Sequence, residues 1–243
     1  GYDQQIVDRL LQISVKKGLD YRFNSTFERI ERQEDGSLRL TMKGCDDIEA
    51  DEVLFAIGRR PNIEGLGCEA VGVELGERDE IKVDDQNRTS VPSIYAVGDV
   101  TDRVQLTPVA IREGHAFADS VFGNSPRTVD YGCIPSAVFS HPPLASVGMT
   151  EGQARNKLGS VKTFTSDFRA MKNVLAGRNE RSLYKLVVDG ETDRIVGIHM
   201  IGPDAPEILQ AAAIAVKARL KKSDFDSVVA LHPTMAEELV LMR

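Results

Sequence analysis

The sequence predicts a chain that begins as α/β and ends as α+β, and three features carry that reading. Two continuous apolar runs, Val53-Leu54-Phe55-Ala56-Ile57 and Ile94-Tyr95-Ala96-Val97, have the pattern of strands buried on both faces. Each runs directly into turn chemistry, Gly58-Arg59-Arg60-Pro61-Asn62 after the first and Gly98-Asp99 after the second. From Val129 onward, short strand patterns are followed by strongly apolar helices, as expected of an α+β domain. Turn-rich stretches at 58–62 and 123–127 divide the chain into segments 1–61, 62–128 and 129–243. A length of 243 residues, 42% of them hydrophobic and 28% charged, suits one large globular domain or two or three small ones.

Taken in order, Asp3 caps a helix with Ile6, Val7, Leu10, Leu11 and Val15 on its apolar face, stopped by Lys16-Lys17-Gly18. Tyr21 to Phe23 is short and extended. The segments 27–33 and 38–42 flank Asp35-Gly36, a hairpin signal. After the buried run 53–57, residues 63–93 are rich in glycine and acid, with a weak strand near Ile81-Lys82-Val83. The run 94–97 follows, then a helix from Thr107 to about Phe122 with Thr107 as N-cap and Pro108 at its first position. In the last segment, strands are expected at 137–139, 161–165, 183–188 and 195–201. Helices are expected from Thr150, over 206–219 and from Ser223.

Composition narrows the function. A formal net charge of -7 with scattered basic residues argues against nucleic acid as a partner. No apolar run approaches the roughly 20 residues of a membrane helix, and nothing at the start reads as a signal or transit peptide. The first residue is Gly1, consistent with a piece of a longer protein. Cys45, Cys68 and Cys133 have neither redox nor zinc spacing, so reduced thiols in a cytoplasmic setting are expected. There is no glycine-rich dinucleotide fingerprint after a strand, no P-loop, no nucleophile elbow and no metal-ligand cluster.

Two stretches could carry chemistry. In Leu231-His232-Pro233-Thr234-Met235-Ala236-Glu237-Glu238, Thr234 and Glu237 form a capping-box pattern that starts a helix at Thr234. His232 then sits just before a helix N-terminus, and Glu237 can reach back to it. A carboxylate that orients a histidine supports general acid–base work. Locally, a turn histidine beside a capping glutamate is the commoner meaning. The second stretch is Gly98-Asp99, a carboxylate at the end of a strand, where α/β proteins bind ligands. The helix at Thr107 follows closely, and its N-terminus favours an electron-rich group. His141 and His199 lack acidic neighbours arranged like those of His232 and read as structural, and Arg178 and Arg181 read as solvated surface.

Five motifs occur in order: Ala56-Ile57-Gly58-Arg59-Arg60-Pro61-Asn62, Ile94 to Val100, Leu106-Thr107-Pro108-Val109-Ala110, Val138-Phe139-Ser140-His141-Pro142-Pro143, and His232-Pro233-Thr234 with Glu237-Glu238. Together they resemble the flavin-dependent pyridine-nucleotide–disulfide oxidoreductases over essentially the whole chain. Within that family the likeness is strongest to the glutathione reductases. Ala230 stands where dihydrolipoamide dehydrogenases usually carry a second histidine.

The resemblance implies that residues 1–61 are the last part of an NAD(P)H-binding domain and 62–128 the last part of an FAD-binding domain, both Rossmann-like. Residues 129–243 would be a complete interface domain of α+β type. It implies FAD and NADPH as cofactors, glutathione disulfide as substrate and a homodimer as the working form. Asp99 would bind the ribityl and phosphate region of FAD, and the backbone at Thr107 would face the flavin. Gly58, Gln105 and the backbone of Ala137 would line the nicotinamide site. His232 would protonate the departing thiol in the partner subunit's site, oriented by Glu237, while His115, Thr234 and Glu238 would lie toward the substrate. The flavin fingerprint, the redox-active cysteine pair and the NADPH-selecting arginines would lie outside this chain, which alone would be inactive.

One departure bears on the substrate. His115 stands where many glutathione reductases have an arginine, and an imidazole cannot fork onto a carboxylate. Ile111-Arg112-Glu113-Gly114 also has some likeness to trypanothione reductases. The alternatives are therefore a trypanothione or glutathione-derivative reductase, a dihydrolipoamide dehydrogenase, or a dimerisation module without activity of its own.

Overall fold

The computed structural model describes all 243 residues. They pack as two compact units, one formed by residues 1–23 with 131–243 and the other by residues 24–130.

The first unit is built on a five-stranded antiparallel sheet in the order β4-β5-β8-β7-β6. Its strands are β4 (Ser136–Val138), β5 (Leu144–Gly148), β6 (Val161–Phe168), β7 (Ser182–Asp189) and β8 (Ile195–Ile201). Alternation across the pleat sorts the side chains into two layers. Ala145, Val147, Tyr184, Leu186, Val188, Ile198 and Met200 form a core with Leu209, Ala212, Ala213 and Val216 of α5 (Ala205–Lys217). Phe225 of α6 (Lys222–Asp226) and Leu239 of α7 (Glu238–Leu241) complete that layer. Leu144, Leu183 and Ile201 turn the other way, onto Ile6 of α1 (Gln4–Lys16). Covering on both faces is why β7 is buried from Ser182 through Val188, and the burial of Ile6 is why α1 groups with this sheet.

Asp3 caps α1 by accepting from Gln5 N. Helix α3 (Glu151–Leu158) begins where expected, with Thr150 as its N-cap and Gln153 completing a capping box. The sequence reading missed β5, whose run Leu144-Ala145-Ser146-Val147 is too short to separate from loop by periodicity, and the one-turn helix α4 (Met171–Leu175).

In the second unit, the hairpin forms as expected: β1 (Phe27–Arg32) pairs with β2 (Leu38–Met42), and Asp35 closes the turn by accepting from both Ser37 N and Ser37 Oγ. An unanticipated third strand, β3 (Ile48–Ala50), extends the sheet. Three expected strands are corrected, and the weak one near Ile81-Lys82-Val83 is reduced to an isolated bridge between Leu75 and Ile81. Residues 53–57 form no strand, and Leu54 and Ile57 are each 90% exposed. Residues 94–97 contribute only an isolated bridge between Arg88 and Tyr95. A doubly buried strand exists only with ladder partners on its sides and helices over its faces; in this unit neither run has strands beside it. Around 94–97, a small core of Val73, Ile81 and Ala96 holds the chain instead.

Two helix starts also move. Helix α2 spans Thr107–Val121, with Leu106 rather than Thr107 as its N-cap, because Leu106 has the extended backbone and accepts the first turn's N–H bonds. At the other end, α7 begins at Glu238 rather than Thr234. The capping-box bonds form, but cis-Pro233 and i→i+3 turns at Met235 and Ala236 occupy the expected first turn.

Candidate functional site

The His232 loop is a closed hydrogen-bonded arrangement. Glu237 Oε1 accepts from Thr234 N at 3.3 Å, and Glu237 N donates to Thr234 Oγ1 at 3.2 Å. Thr234 Oγ1 in turn donates to Leu231 O at 2.8 Å, closing the loop around Pro233. Both Glu237 oxygens lie 3.1–3.2 Å from His232 Nδ1. The carboxylate is nearly buried, at 10% side-chain exposure, while the imidazole is 74% exposed. Because a carboxylate only accepts, it favours the proton on Nδ1 and leaves Nε2 facing outward. Glu237 therefore caps the turn and orients the ring at once. Beyond the loop, buried Lys222 donates to Met242 O at 2.7 Å, pairs with Asp226 and lies over the Phe164 ring, tying down the chain that follows α7.

Thr234 and Glu238 line a cavity of about 220 Å³ with Pro233, Glu237, Arg169 and Lys172. Glu238 also accepts from Ser166 Oγ at 2.5 Å, so its carboxylate is anchored to β6. Ala137 lies on β4, paired with Ala145.

In the other unit, Gly98-Asp99 opens a 3₁₀ turn over Gly98–Thr101. Gly98 has φ +77°, and a Cβ there would come within 3.0 Å of Ala110 Cβ, so helix α2 packs directly against the turn. Asp99 is half exposed, 3.6 Å from Arg59 Nη1. Asp99 and Gln105 share a cavity of about 410 Å³ with Arg59, Arg60, Pro61 and Asn62. Gln105 Nε2 donates to Asp102 Oδ1 at 2.6 Å. Gly58 leads into this cavity wall with φ +123°. Thr107 is exposed at the start of α2, where no side chain caps the helix; Pro108 has no N–H and Val109 N donates to Leu106 O, so the Thr107 N–H is the first-turn donor left without a partner inside the helix. His115 is exposed two turns further along.

A half-exposed carboxylate that accepts from hydroxyls, with an amide and flanking arginines that donate to phosphate, suits a polyhydroxyl chain with phosphate, so the chemistry of these residues fits the polar part of a flavin nucleotide. Sequence reading missed Glu113. It is 1% exposed on α2 and accepts from Gly98 N at 2.6 Å. The available signal was its spacing: Val109, Glu113 and Ala116 form one helical face, so a carboxylate occupies a core position.

The first unit holds a second polar group away from the loop. Lys185 donates to Asp3 Oδ1 at 2.9 Å and Glu151 Oε2 at 2.7 Å, and Glu151 N donates to Asp3 Oδ2 at 2.9 Å. Burial pushes the Asp3 carboxyl up, but bonds from Glu151 N and Lys185 outweigh it and hold Asp3 below its ordinary value. The bond from Lys185, with help from Arg155, does the same for Glu151. His199, fully buried, lies between Ser146 Oγ and Met149 O, both at 2.9 Å, and burial pulls its pKa down. Its Nε2–H donates to the Met149 carbonyl. These are fold-holding contacts, consistent with the structural reading of His199.

Residues 1–114 match the pyridine nucleotide-disulphide oxidoreductase family and residues 134–243 match the dimerisation domain of the same family. The chain belongs to the pyridine nucleotide-disulphide oxidoreductases. It is 49% identical to a glutathione reductase from Burkholderia cepacia, aligned over 100% of this chain and 54% of that protein. It is 39% identical to a trypanothione reductase from Trypanosoma congolense, over 100% of this chain and 50% of the relative. The solved structure of the HOCl-induced flavoprotein disulfide reductase RclA from Escherichia coli superposes with a TM-score of 0.89 at 29% identity, covering 98% of this chain and 55% of that one. The chain thus spans about half the length of the oxidoreductases it matches. No helix is long and apolar enough to cross a membrane.

Proposed function

We propose that this chain is the portion of a flavin-dependent NADPH:disulfide oxidoreductase that supplies the proton donor, with glutathione disulfide as substrate. The observation that carries the proposal is the His232–Glu237 pair: an imidazole whose Nδ1 is held by a nearly buried carboxylate while Nε2 faces outward. In disulfide reduction a thiolate attacks one sulfur and the other leaves as a thiolate. Nε2–H of a protonated His232 donates to that leaving sulfur, and Glu237 stabilises the imidazolium from the opposite side of the ring. Thr234 fixes Glu237 through two hydrogen bonds, so the ring stays aimed during the transfer.

In the second unit, the residues toward FAD are Asp99 and the first turn of α2, and those toward the nicotinamide are Gly58 and Gln105. Bound FAD supplies two-electron transfer from NADPH to a redox-active dithiol. Cys45, Cys68 and Cys133 form no disulfide, and their separation in sequence does not suit that dithiol. The domain assignment that goes with this reading is 1–61 to the NAD(P)H-binding part, 62–128 to the FAD-binding part and 129–243 to the interface domain. We assign the working form to a homodimer. The match to a dimerisation domain supports this, as does the exposed run of Val228, Val229 and Leu231 beside His232.

The test is His232→Gln in the full-length protein, assayed by NADPH oxidation with glutathione disulfide, trypanothione disulfide and lipoamide. Turnover should fall about 10²–10⁴-fold with FAD still bound; near-normal turnover would remove His232 from the mechanism. His115 gives the trypanothione substrate its place in the panel, because it cannot make the forked carboxylate contact of an arginine.

A further inference from the structure

We propose that Glu113 is a positioning residue for the flavin site: from the buried face of α2 it holds the Gly98 N–H and so sets the aim of the Asp99 carboxylate. This rests on the flavin reading above and deepens it. A glutamate 1% exposed on a helix face otherwise made of Val109 and Ala116 is costly to fold around unless its oxygens are used. One of them is used by a backbone group, at 2.6 Å from Gly98 N. The residue whose N–H it holds immediately precedes the carboxylate that faces the cavity.

The turn is gripped from three sides. Glu113 takes the Gly98 N–H, buried Thr101 donates its hydroxyl to Gly98 O at 2.9 Å, and Ala110 Cβ lies only 3.0 Å from where a Cβ at Gly98 would be. With both polar atoms of Gly98 engaged, the direction in which the chain leaves toward Asp99 is set. Glu113 and Ala110 also belong to the same helix whose uncapped first turn starts at Thr107. The two elements assigned to FAD, the Asp99 carboxylate and the α2 N-terminus, are therefore locked to each other through Glu113. A ligand that must reach both at once gains from that preorganisation, because it does not have to order the turn on binding.

The experiment uses the full-length protein with Glu113→Ala, Glu113→Gln and Thr101→Val. For each, FAD affinity is read by titrating the deflavinated protein and following flavin fluorescence, and the visible circular dichroism of bound flavin reports its placement. Glu113→Ala should weaken FAD binding on the order of tenfold, about 1.4 kcal/mol, and change the visible dichroism. Glu113→Gln keeps an acceptor oxygen and should bind within about threefold of the parent. Thr101→Val loosens the other side of the same turn and should act in the same direction more weakly; it reads the turn even where Glu113→Ala does not fold. FAD affinity and dichroism unchanged in both Glu113→Ala and Thr101→Val would overturn the inference, whatever the melting temperatures do. A parent protein that binds no FAD would instead overturn the flavin reading beneath it.

Discussion

Replacing Lys185 with methionine should expose how strongly the first unit depends on one buried ion cluster. The Lys185 side chain is 4% exposed, Asp3 2% and Glu151 31%. Lys185 makes two charge-assisted bonds, to Asp3 at 2.9 Å and Glu151 at 2.7 Å. Each such bond is worth about 1.5–3 kcal/mol, which sets a floor of about 3 kcal/mol. Removing only the cation also leaves the Asp3 carboxylate buried with backbone donors alone, and breaking a buried pair in this way costs about 3–5 kcal/mol. The sign with pH follows from the two carboxyls. Both are held below their ordinary values when folded, so the stability they contribute is present at neutral pH and is lost as pH falls through the folded values. The deficit of Lys185→Met should therefore be largest at pH 7 and shrink below about pH 4. Hydrogen exchange at the amides of β7 and β8 isolates this unit and reads its opening free energy directly. Asp3→Asn combined with Lys185→Met should recover part of the loss, because it removes the stranded charge. A single mutant within about 1 kcal/mol of the parent, or a double mutant no better than the single, would refute the reasoning.

Further outcomes follow from other residues. His199 has its pKa lowered by burial from an ordinary 6.5, so below that pH the unfolded chain binds a proton the folded unit does not, and stability should fall as pH drops; His199→Gln should flatten that slope on the acid side of pH 6.5, as measured by urea unfolding at stepped pH. Gly98→Ala meets both a φ of +77° and the Ala110 methyl, and should cost about 1–3 kcal/mol in thermal or urea unfolding. Glu237→Ala should reduce turnover of the full-length protein with less effect than His232→Gln, because the ring remains while its orienting acceptor goes. Asp substitution at Leu231 should weaken self-association measured by light scattering, since Leu231 is 75% exposed beside the proposed contact surface.

Local signals read well where local physics decides the outcome. The Asp35-Gly36 hairpin, the Asp3 cap, the helix start at Thr150, the expected strands of the last segment and the apolar stripe of α5 all form close to where their residues place them. The capping-box bonds at Thr234 and Glu237 also form, although the helix begins only at Glu238, after two i→i+3 turns. What failed was inference about neighbours. The run 53–57 has every property of a buried strand and lies largely exposed without a ladder, because hydrophobicity specifies a wish for burial and not the partner that provides it.

The two functional pairs divide along the same line. The closeness of His232 and Glu237 was legible because five residues of chain and one turn bring them together. The bond from Gly98 to Glu113, fifteen residues apart, was not, because only the packing of α2 over the turn at Gly98 joins them. The union of Asp3 and Lys185, separated by 182 positions, was likewise invisible in the sequence. Short-range hydrogen bonds and periodic burial are encoded by residues that are neighbours along the chain. A buried carboxylate acquires its meaning only when the fold chooses what is placed against it.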